Sequence, residues 1–269
     1  MYQDFYGFKK KPFGNTPNAQ SLYLTSQHRE ALNHLLYGIV NRKGFILLTG
    51  EIGAGKSTVC RAALEKLGPE FETAWIVNPC IQNSSILKAI AVEFEMTLDF
   101  DDSVGIMHRL NGYLVDRYLE NKTTILIIDE AQNLSLESLE EIRLLSNLET
   151  GQDKLLQIVL IGQPELKDKI NHPSLLQLKQ RIGVRYHLER LSSREIDDYI
   201  NDQIDRAEPK LSPRFTRPAL RKIHRFSRGI PRVINLVCDQ SLLAGYVYRN
   251  PQIDMGMVGR AIREISGKV

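Results

Sequence analysis

The sequence contains few cysteines and no long apolar run. Its three cysteines, Cys60, Cys80 and Cys238, are an odd number at unrelated spacings. They indicate neither a disulfide framework nor a zinc site, so we expect a reducing, cytoplasmic environment. No apolar run approaches the roughly 20 residues that a membrane-spanning helix needs, and no charged-then-apolar signal opens the chain. We expect a soluble chain without a membrane segment, either whole or as one piece of a longer membrane-attached protein.

Neither sign of charge is in large excess. The chain has 35 lysine and arginine residues against 32 aspartates and glutamates, for a net charge of +3. Residues 191–269 hold 14 basic against 9 acidic side chains, whereas residues 1–190 hold 21 against 23. The near-neutral total argues mildly against a DNA-binding protein, and the basic surplus is confined to the C-terminal part.

The segment that organises the chain is residues 50–57, with the sequence GEIGAGKS. It lies between an apolar run at 45–49 and a helix-patterned segment at 56–67, in the order strand, glycine loop, helix. Backbone N–H groups converge at such a helix start, where the peptide dipoles add to a partial positive charge. The context fits the phosphate-binding loop pattern GxxxxGKS, so the sequence predicts a nucleoside triphosphate site.

Each residue of this loop has an expected role. Gly50 and Gly55 free the backbone to take positive φ and wrap the β-phosphate. Lys56 can reach the β- and γ-phosphates, and the Ser57 hydroxyl is placed to bind Mg²⁺. Thr58 follows inside the helix and can touch the α-phosphate. The expected nucleotide-binding residues of the loop are Gly50, Gly53, Ala54, Gly55, Lys56, Ser57 and Thr58.

Five strand-like segments alternate with helical ones, which predicts an α/β fold with a five-stranded parallel sheet between helices. The strands are expected at 45–49, 73–78, 123–128, 155–161 and 184–188. The helices between them are expected at 26–41, 56–67, 84–94, 103–119, 135–148 and, as short pieces, 165–181. Four more helices are expected at 193–207, 214–226, 231–247 and 255–266, forming a small all-helical lid domain.

The predicted domains are an N-terminal arm at 1–25, an α/β nucleotide-binding domain at 26–190 and the helical lid at 191–269. The arm has aromatic residues, proline and glycine without a helical period, so we expect an irregular but docked segment. Two interpretations are open for Pro12, Phe13 and Tyr23: they pack onto the core, or they line the binding pocket of a nucleotide's adenine. Ser26 is the expected N-cap of the helix that follows.

Two acids, Asp129 and Glu130, close the apolar run at 123–128. The carboxyl end of a buried parallel strand faces the ligand crevice, at the edge that carries the phosphate loop. We expect Asp129 to hold Mg²⁺ and Glu130 to polarise the attacking water. Gln163 ends the next strand and should emerge beside Glu130, where its amide can orient the water or sense the γ-phosphate; the alternative is a turn residue before Pro164.

Arginines are expected to complete the site. Arg181 comes directly before the last strand, and we expect its guanidinium to project from the same edge toward a neighbouring subunit's γ-phosphate. Arg185 is its rival, and a surface salt bridge is the plain alternative. Arg232 follows a Gly-Ile-Pro turn at a helix start, which could aim it at the nucleotide.

A second arginine pattern lies in the predicted lid. Arg214, Arg217, Arg221 and Arg225 recur at helical spacing, so they are expected to share one helix face. Such a stripe suits a phosphate backbone, but a solvated face or a contact to a neighbouring subunit is the favoured interpretation.

These motifs together resemble an AAA+ ATPase. Over nearly the whole chain, the sequence resembles the ATPase domain of the ExeA/GspA secretion family. The segments that carry this resemblance are YGF and KPF near the start, LLTGEIGAGKST, IIDEAQ, IGQPEL and QRI. The domain is also similar to transposition regulators of the TniB/TnsC kind. The secretion family's members normally continue into a transmembrane segment and a peptidoglycan-binding region, which are not present here.

The resemblance implies an ATP- and Mg²⁺-dependent enzyme that works as a homo-oligomer with active sites between subunits, with catalytic residues Lys56, Glu130, Gln163 and Arg181. The implied partner is a protein of a secretion or polysaccharide-export complex at the inner membrane. A different class, an ATP-switched DNA-binding transposition regulator, is the alternative. A small-molecule kinase is disfavoured because no pattern in the sequence indicates a binding pocket for a phosphate acceptor.

Overall fold

The computed structural model describes residues 1–14, 25–79, 85–97, 102–150 and 153–267. The chain forms two compact units. One, the helical unit, contains residues 1–28, 51–58 and 189–269, and the other, the sheet unit, contains residues 29–50 and 59–188. Among the described residues, no helix has both the length and the apolar character that crossing a membrane requires.

The helices follow the order that the sequence predicts. They are α1 Tyr2–Tyr6, α2 Ser26–Val40, α3 Lys56–Leu64, α4 Ile86–Glu93, α5 Ser103–Leu119, α6 Leu136–Leu145, α7 Pro164–Ile170, α8 Leu176–Arg181, α9 Ser193–Arg206, α10 Arg217–Ser227, α11 Pro231–Val247 and α12 Met255–Ser266. The strands are β1 Phe45–Gly50, β2 Phe71–Ile76, β3 Thr123–Ile128, β4 Glu149–Thr150, β5 Asp153–Lys154, β6 Leu156–Gly162, β7 Ile182–Leu188, β8 Arg214–Phe215 and β9 Gln252–Ile253.

The sheet unit is built on five strands in the order β2-β3-β6-β1-β7. All four neighbouring pairs are parallel. Every residue of β1, β3 and β6 is buried, as expected for strands covered on both faces. The five-stranded parallel sheet predicted from the apolar runs is therefore confirmed. Because the strands run the same way, β1, β3 and β6 all end at one edge, which we call the carboxyl edge.

The helical unit has an apolar core of its own. Ile196, Ile200, Ile223 and Ile234 are fully buried in it, together with Val237. Local signals set where its helices begin: α9 starts with a Ser192–Glu195 capping box, α11 has proline at its first position, and Asp254 caps α12. The predicted helical character of this region is confirmed.

The N-terminal arm differs from the prediction in one respect. Residues Tyr2–Tyr6 form a short helix, α1, which ends at Gly7 in the left-handed conformation. Tyr6 is fully buried, and its hydroxyl donates to the carbonyl of Leu242 at 3.2 Å. Phe13, 2% exposed, packs in the same core. Of the two interpretations of the arm's aromatics, packing holds for Phe13, and Tyr23 lies outside the described residues.

Two further predictions were wrong. Helix α2 is capped not by Ser26 but by Thr25, whose Oγ1 accepts a hydrogen bond from the His28 N–H at 3.3 Å. Arg214 lies not on a helix but in β8, which pairs with β9, and α10 begins only at Arg217. Two-residue strands have no periodicity that a sequence pattern could reveal. The domain boundaries predicted from the sequence stay predictions.

Candidate nucleotide-binding site

The phosphate loop follows β1 directly and ends where α3 begins at Lys56. Gly53 and Gly55 have φ of 78° and 99°, which only glycine adopts without strain. The prediction of positive φ at Gly50 was wrong. Gly50 is required for a different reason: a Cβ there would lie 2.7 Å from the carbonyl oxygen of Leu188, on the neighbouring strand β7.

Lys56 is held close to its own loop. Its side chain is 6% exposed, and Nζ donates to the carbonyl of Glu51 at 3.0 Å. The Ala54 N–H donates to that same carbonyl at 3.1 Å, so the loop closes as a tight turn. Ser57 and Thr58 occupy the first turn of α3, where N–H groups have no partner within the helix. This is the local geometry that binds phosphate at a helix N-terminus.

Arg232 lies against the loop. It is the second residue of α11, and its N–H donates to the carbonyl of Gly53 at 3.3 Å. A Cβ at Gly53 would lie 2.7 Å from the Arg232 Cβ, so the loop and the first turn of α11 are in contact. The turn before α11 requires glycine at Gly229, which has φ of 81° and where a Cβ would lie 2.3 Å from the Leu191 carbonyl oxygen. The structure therefore brings Arg232 to the phosphate loop.

His28 contacts the same loop, and sequence reasoning missed it. Its Nε2 lies 2.9 Å from the carbonyl oxygen of Ala54, and its Nδ1 lies 2.7 Å from Thr25 Oγ1. The side chain is 4% exposed, and burial lowers the pKa of His28, although the Ala54 carbonyl and the charge of Glu195 act the other way. The only signal in the sequence was a threonine three residues before a histidine at a helix start.

The two predicted acids follow β3 at the carboxyl edge. Asp129 is 7% exposed, and its Oδ1 accepts a hydrogen bond from the Glu130 N–H at 2.9 Å. Glu130 has φ of 52° and ψ of 37°, the left-handed conformation that a non-glycine residue rarely adopts. Such strained backbone is typical of functional sites. The sharp turn lets two successive acids leave the same strand end in different directions.

Glu130 is bound by two amides. The Gln132 side chain donates to Glu130 Oε2 at 2.6 Å, and the Gln163 side chain donates to the same oxygen at 3.2 Å. Gln132 Oε1 in turn accepts from the Gln163 N–H at 3.0 Å. The structure therefore places Gln163 beside Glu130, and it adds Gln132, which the sequence analysis did not single out. We call these three side chains the acid network.

Helix α3 lies beside the acids within the sheet unit. Burial raises the pKa of the Cys60 thiol, and the negative charge of Asp129 raises it further. One residue later, the Arg61 guanidinium lies over the Trp75 ring, 5.2 Å from its centroid. The Trp75 Nε1 is buried and has no hydrogen-bond partner among the residues that the structure describes.

Arg181 does not lie where the sequence analysis expected it. It ends α8 and precedes Ile182, which pairs with Phe45 at the beginning of β1. It therefore lies at the amino edge of the sheet, opposite to the carboxyl edge that carries Asp129. Its guanidinium donates to Ser146 Oγ at 2.7 Å and to the Arg143 carbonyl at 3.3 Å. Arg185 is exposed within β7 and donates to the Lys179 carbonyl.

The basic stripe is shorter than predicted. Arg217, Arg221 and Arg225 lie on α10 and are exposed, whereas Arg214 lies in β8 and pairs with Asp205 and Asn201. The charge of Arg217 acts on Asp197, whose pKa is nonetheless raised, mainly by burial and by the neighbouring Asp198. Part of the stripe is therefore balanced by acids of the same unit.

No group of three or more histidine, cysteine, aspartate or glutamate side chains is arranged to hold a metal ion within the described residues. The predicted Mg²⁺ site does not depend on such a group, because Ser57 and Asp129 offer a hydroxyl and a carboxylate, the hard oxygen donors that Mg²⁺ prefers.

A family model described as an AAA domain matches residues 40–170, which include the phosphate loop and both acids. General secretion pathway protein A of Aeromonas hydrophila is 43% identical over 268 residues, which is 99% of this chain. The chain is homologous to that protein over almost its whole length, and it spans 49% of the length of this curated relative.

Solved structures of similar fold cover most of this chain. The ORC2 protein of Aeropyrum pernix has a TM-score of 0.67 at 14% identity, covering 95% of this chain and 72% of that one. Drosophila ORC, in a structure with DNA bound, has a TM-score of 0.69 at 16% identity, covering 98% and 65%. Cdc6p of Pyrobaculum aerophilum has a TM-score of 0.66 at 19% identity, covering 90% and 67%. At these identities the likeness concerns the fold alone.

Proposed function

We propose that this chain is an AAA+ ATPase that hydrolyses ATP with Mg²⁺, and that its nucleotide state controls self-assembly for a secretion or polysaccharide-export complex of the cell envelope. The acid network carries the hydrolytic part of the proposal. A carboxylate at a strand end, held by two amides on a strained turn, is suited to polarise a water molecule. The secretion part rests on the 43% identity to general secretion pathway protein A.

The phosphate loop supplies the binding part. Lys56 would leave the Glu51 carbonyl to contact the β- and γ-phosphates, while the N–H groups of residues 53–58 surround the β-phosphate. Ser57 and Asp129 would hold Mg²⁺, which neutralises phosphate charge when it is bound. Arg232, already in contact with Gly53, is the side chain through which the helical unit would respond to a phosphate in the loop.

Glu130 would act as the general base, and Gln163 would orient the same water. The Gln163 side-chain amide donates a hydrogen bond to Glu130 Oε2, so the two side chains are in direct contact. A glutamine amide can donate to one oxygen and accept from another donor, so it can fix a water while it holds the carboxylate.

Arg181 is proposed to act in trans. It lies at the amino edge of its own sheet, and Asp129, Glu130 and Gln163 all follow strands at the carboxyl edge. The guanidinium would exchange its hydrogen bonds to Ser146 and to the Arg143 carbonyl for contacts to a neighbouring subunit's γ-phosphate, where it would stabilise the charge of the transition state. ATP would then order a homo-oligomer and hydrolysis would release it.

The test is ATP hydrolysis measured as a function of protein concentration, with Mg²⁺ and with the metal removed by a chelator. We expect Mg²⁺-dependent hydrolysis whose rate per subunit rises with concentration, accompanied by a larger particle in the presence of ATP. The Lys56→Ala variant is the matched control and should neither hydrolyse ATP nor assemble. Hydrolysis at a constant rate per subunit over all concentrations would contradict the proposed shared site.

A second candidate function is that of an ATP-switched DNA-binding protein, as in transposition regulators. The observation that favours it is the exposed arginine stripe on α10, Arg217, Arg221 and Arg225. The near-neutral net charge of +3 and the acids that balance Arg217 count against it.

Binding of labelled duplex DNA, followed from low to physiological salt with ATP, ADP or no nucleotide, separates the two candidates. Contacts to phosphates alone weaken steeply as salt rises. ATP-dependent binding that persists at physiological salt, changes the hydrolysis rate and is lost in Arg221→Glu would favour the DNA-binding function. Binding that disappears with salt in every nucleotide state would favour a protein target.

A further inference from the structure

The phosphate loop needs a support that its own sequence does not provide. Two of its residues, Gly53 and Gly55, have positive φ, and glycine is the residue that loses most conformational freedom when it is ordered. A loop of this kind binds phosphate well only if its N–H groups already converge before the ligand arrives. The peptide between the two glycines is that of Ala54, whose side chain is 2% exposed.

His28 is attached to this peptide. The Ala54 carbonyl can only accept a hydrogen bond, so the 2.9 Å contact assigns the proton to Nε2 of the ring. The neutral ring then accepts at Nδ1 from the Thr25 hydroxyl, at 2.7 Å. Thr25 Oγ1 also accepts from the His28 N–H at 3.3 Å. These three hydrogen bonds leave the ring one tautomer and one orientation.

The ring also packs against the next residue of the loop. A Cβ at Gly55 would lie 2.9 Å from His28 Nε2, so the loop and the ring are in direct contact over two successive residues. His28 and Thr25 are 4% and 2% exposed, so the ring is shielded from bulk solvent. Burial lowers the pKa of His28 and so favours the neutral ring that this arrangement requires.

We propose that His28, oriented by Thr25, is a positioning residue that holds the phosphate loop in its nucleotide-binding conformation through the Ala54 carbonyl. This inference rests on the proposed function of the loop as an ATP site. His28 acts on the ligand only through the peptide that it holds, so it tunes affinity for the phosphates and takes no part in the chemical step.

The experiment compares ATP and ADP binding, by titration calorimetry, in wild type and four variants. His28→Leu removes the donor, and we expect affinity for both nucleotides to fall roughly tenfold because a buried carbonyl loses its partner. In His28→Gln an amide N–H replaces Nε2–H, and we expect affinity near that of wild type. His34→Leu, on the same helix but partly exposed, is the matched control, and Lys56→Ala tests the site itself.

A residue that only packs would lower Tm without changing the affinity of the folded protein, so binding is measured well below each variant's Tm. The steady-state readout should show a raised KM with kcat nearly unchanged. Folded His28→Leu that binds ATP as wild type does would overturn the inference. If His28→Leu does not fold, the nucleotide affinities of Thr25→Val and Thr25→Ser are compared instead. Equal affinities would overturn the inference. Weaker binding by Thr25→Val alone would support it.

The outcomes separate this inference from the proposed function. Absence of ATP binding by wild type, or full binding by Lys56→Ala, would reject the proposed nucleotide site and the inference with it. Binding that Lys56→Ala abolishes and His28→Leu leaves untouched would reject the role of His28 alone.

Discussion

The phosphate loop and the acid network are held in different ways. In the helical unit the loop is fixed through main-chain groups: the carbonyls of Glu51, Gly53 and Ala54 accept from Lys56, Arg232 and His28. In the sheet unit Glu130 is fixed through side chains, the amides of Gln132 and Gln163. A main-chain carbonyl can accept a hydrogen bond from many kinds of side chain. A network of side chains depends on the identity of each member.

This difference decides what a substitution does. Replacing a member of the acid network should change the chemical step and leave binding intact, because the network holds the proposed general base and not a phosphate-binding group. Replacing a support of the loop should change nucleotide affinity and leave the chemical step nearly intact. Each of the following experiments would sharpen or break that division.

The largest effect is expected for Arg181→Ala. An arginine supplied in trans contributes about 10³-fold or more to hydrolysis, and Arg181 is the proposed one. We expect kcat to fall by that order with ATP affinity unchanged, whereas Arg185→Ala should retain most activity. Equal mixtures of Arg181→Ala and Glu130→Gln, a variant expected to assemble, should regain activity, since each supplies what the other lacks. A mixture as inactive as its components would place the role of Arg181 within its own subunit.

The next largest effect is expected for Glu130→Gln. The amide keeps the size of the side chain but cannot take a proton, so single-turnover hydrolysis should fall by roughly 10²-fold or more. ATP affinity should stay near that of wild type, and the ATP-bound assembly should persist, which sedimentation can follow. Glu137→Gln, an exposed acid at the start of α6, serves as the control. Normal hydrolysis by Glu130→Gln would show that another group activates the water.

Gln163→Ala should have an intermediate effect. It removes one of the two amides that hold Glu130 Oε2, so we expect kcat to fall by about tenfold with KM nearly unchanged, the loss of one hydrogen bond made to a charged group. Asn133→Ala, whose side chain bonds Asn78 rather than Glu130, is a suitable comparison. A raised KM with normal kcat would break the division between the two regions.

The smallest effect concerns pH. The pKa of His28 is lowered by burial, so the unfolded chain, with a histidine pKa of about 6.5, binds the proton more readily than the folded one. The stability that neutral His28 contributes is therefore present above about pH 6.5 and is lost as the pH falls. On acidification, the Tm of wild type should fall further than that of His28→Gln. Parallel curves would show that His28 titrates with the same pKa in the folded and unfolded protein, which would contradict this prediction.

The sequence was sufficient for the sheet and for the loop because both leave strong local patterns. The β-branched, mostly apolar run at Thr123–Ile128 is typical of a buried strand, and the GxxxxGKS spacing defines the loop. Gln163 could be placed beside Glu130 because each follows a strand at the same edge. The roles assigned to these residues stay predictions until they are measured.

What the sequence could not supply are contacts between distant residues and elements too short for a period. His28 and Ala54 are 26 residues apart, and nothing in either neighbourhood indicates their hydrogen bond. Arg214 was placed on a helix because its spacing to Arg217 fits one, but β8 has only two residues. The wrong edge for Arg181 was an error of reasoning: a residue that precedes a parallel strand lies at the edge opposite to one that follows it.

The stacking of Arg61 over Trp75 has a practical consequence. Trp75 is the one tryptophan of the chain, and the cation that covers it belongs to α3, the helix that begins at Lys56. Its fluorescence therefore reads out the position of that helix without any label. If α3 shifts when the proposed nucleotide site is filled, a stopped-flow trace of the indole emission would follow that shift in the unmodified protein.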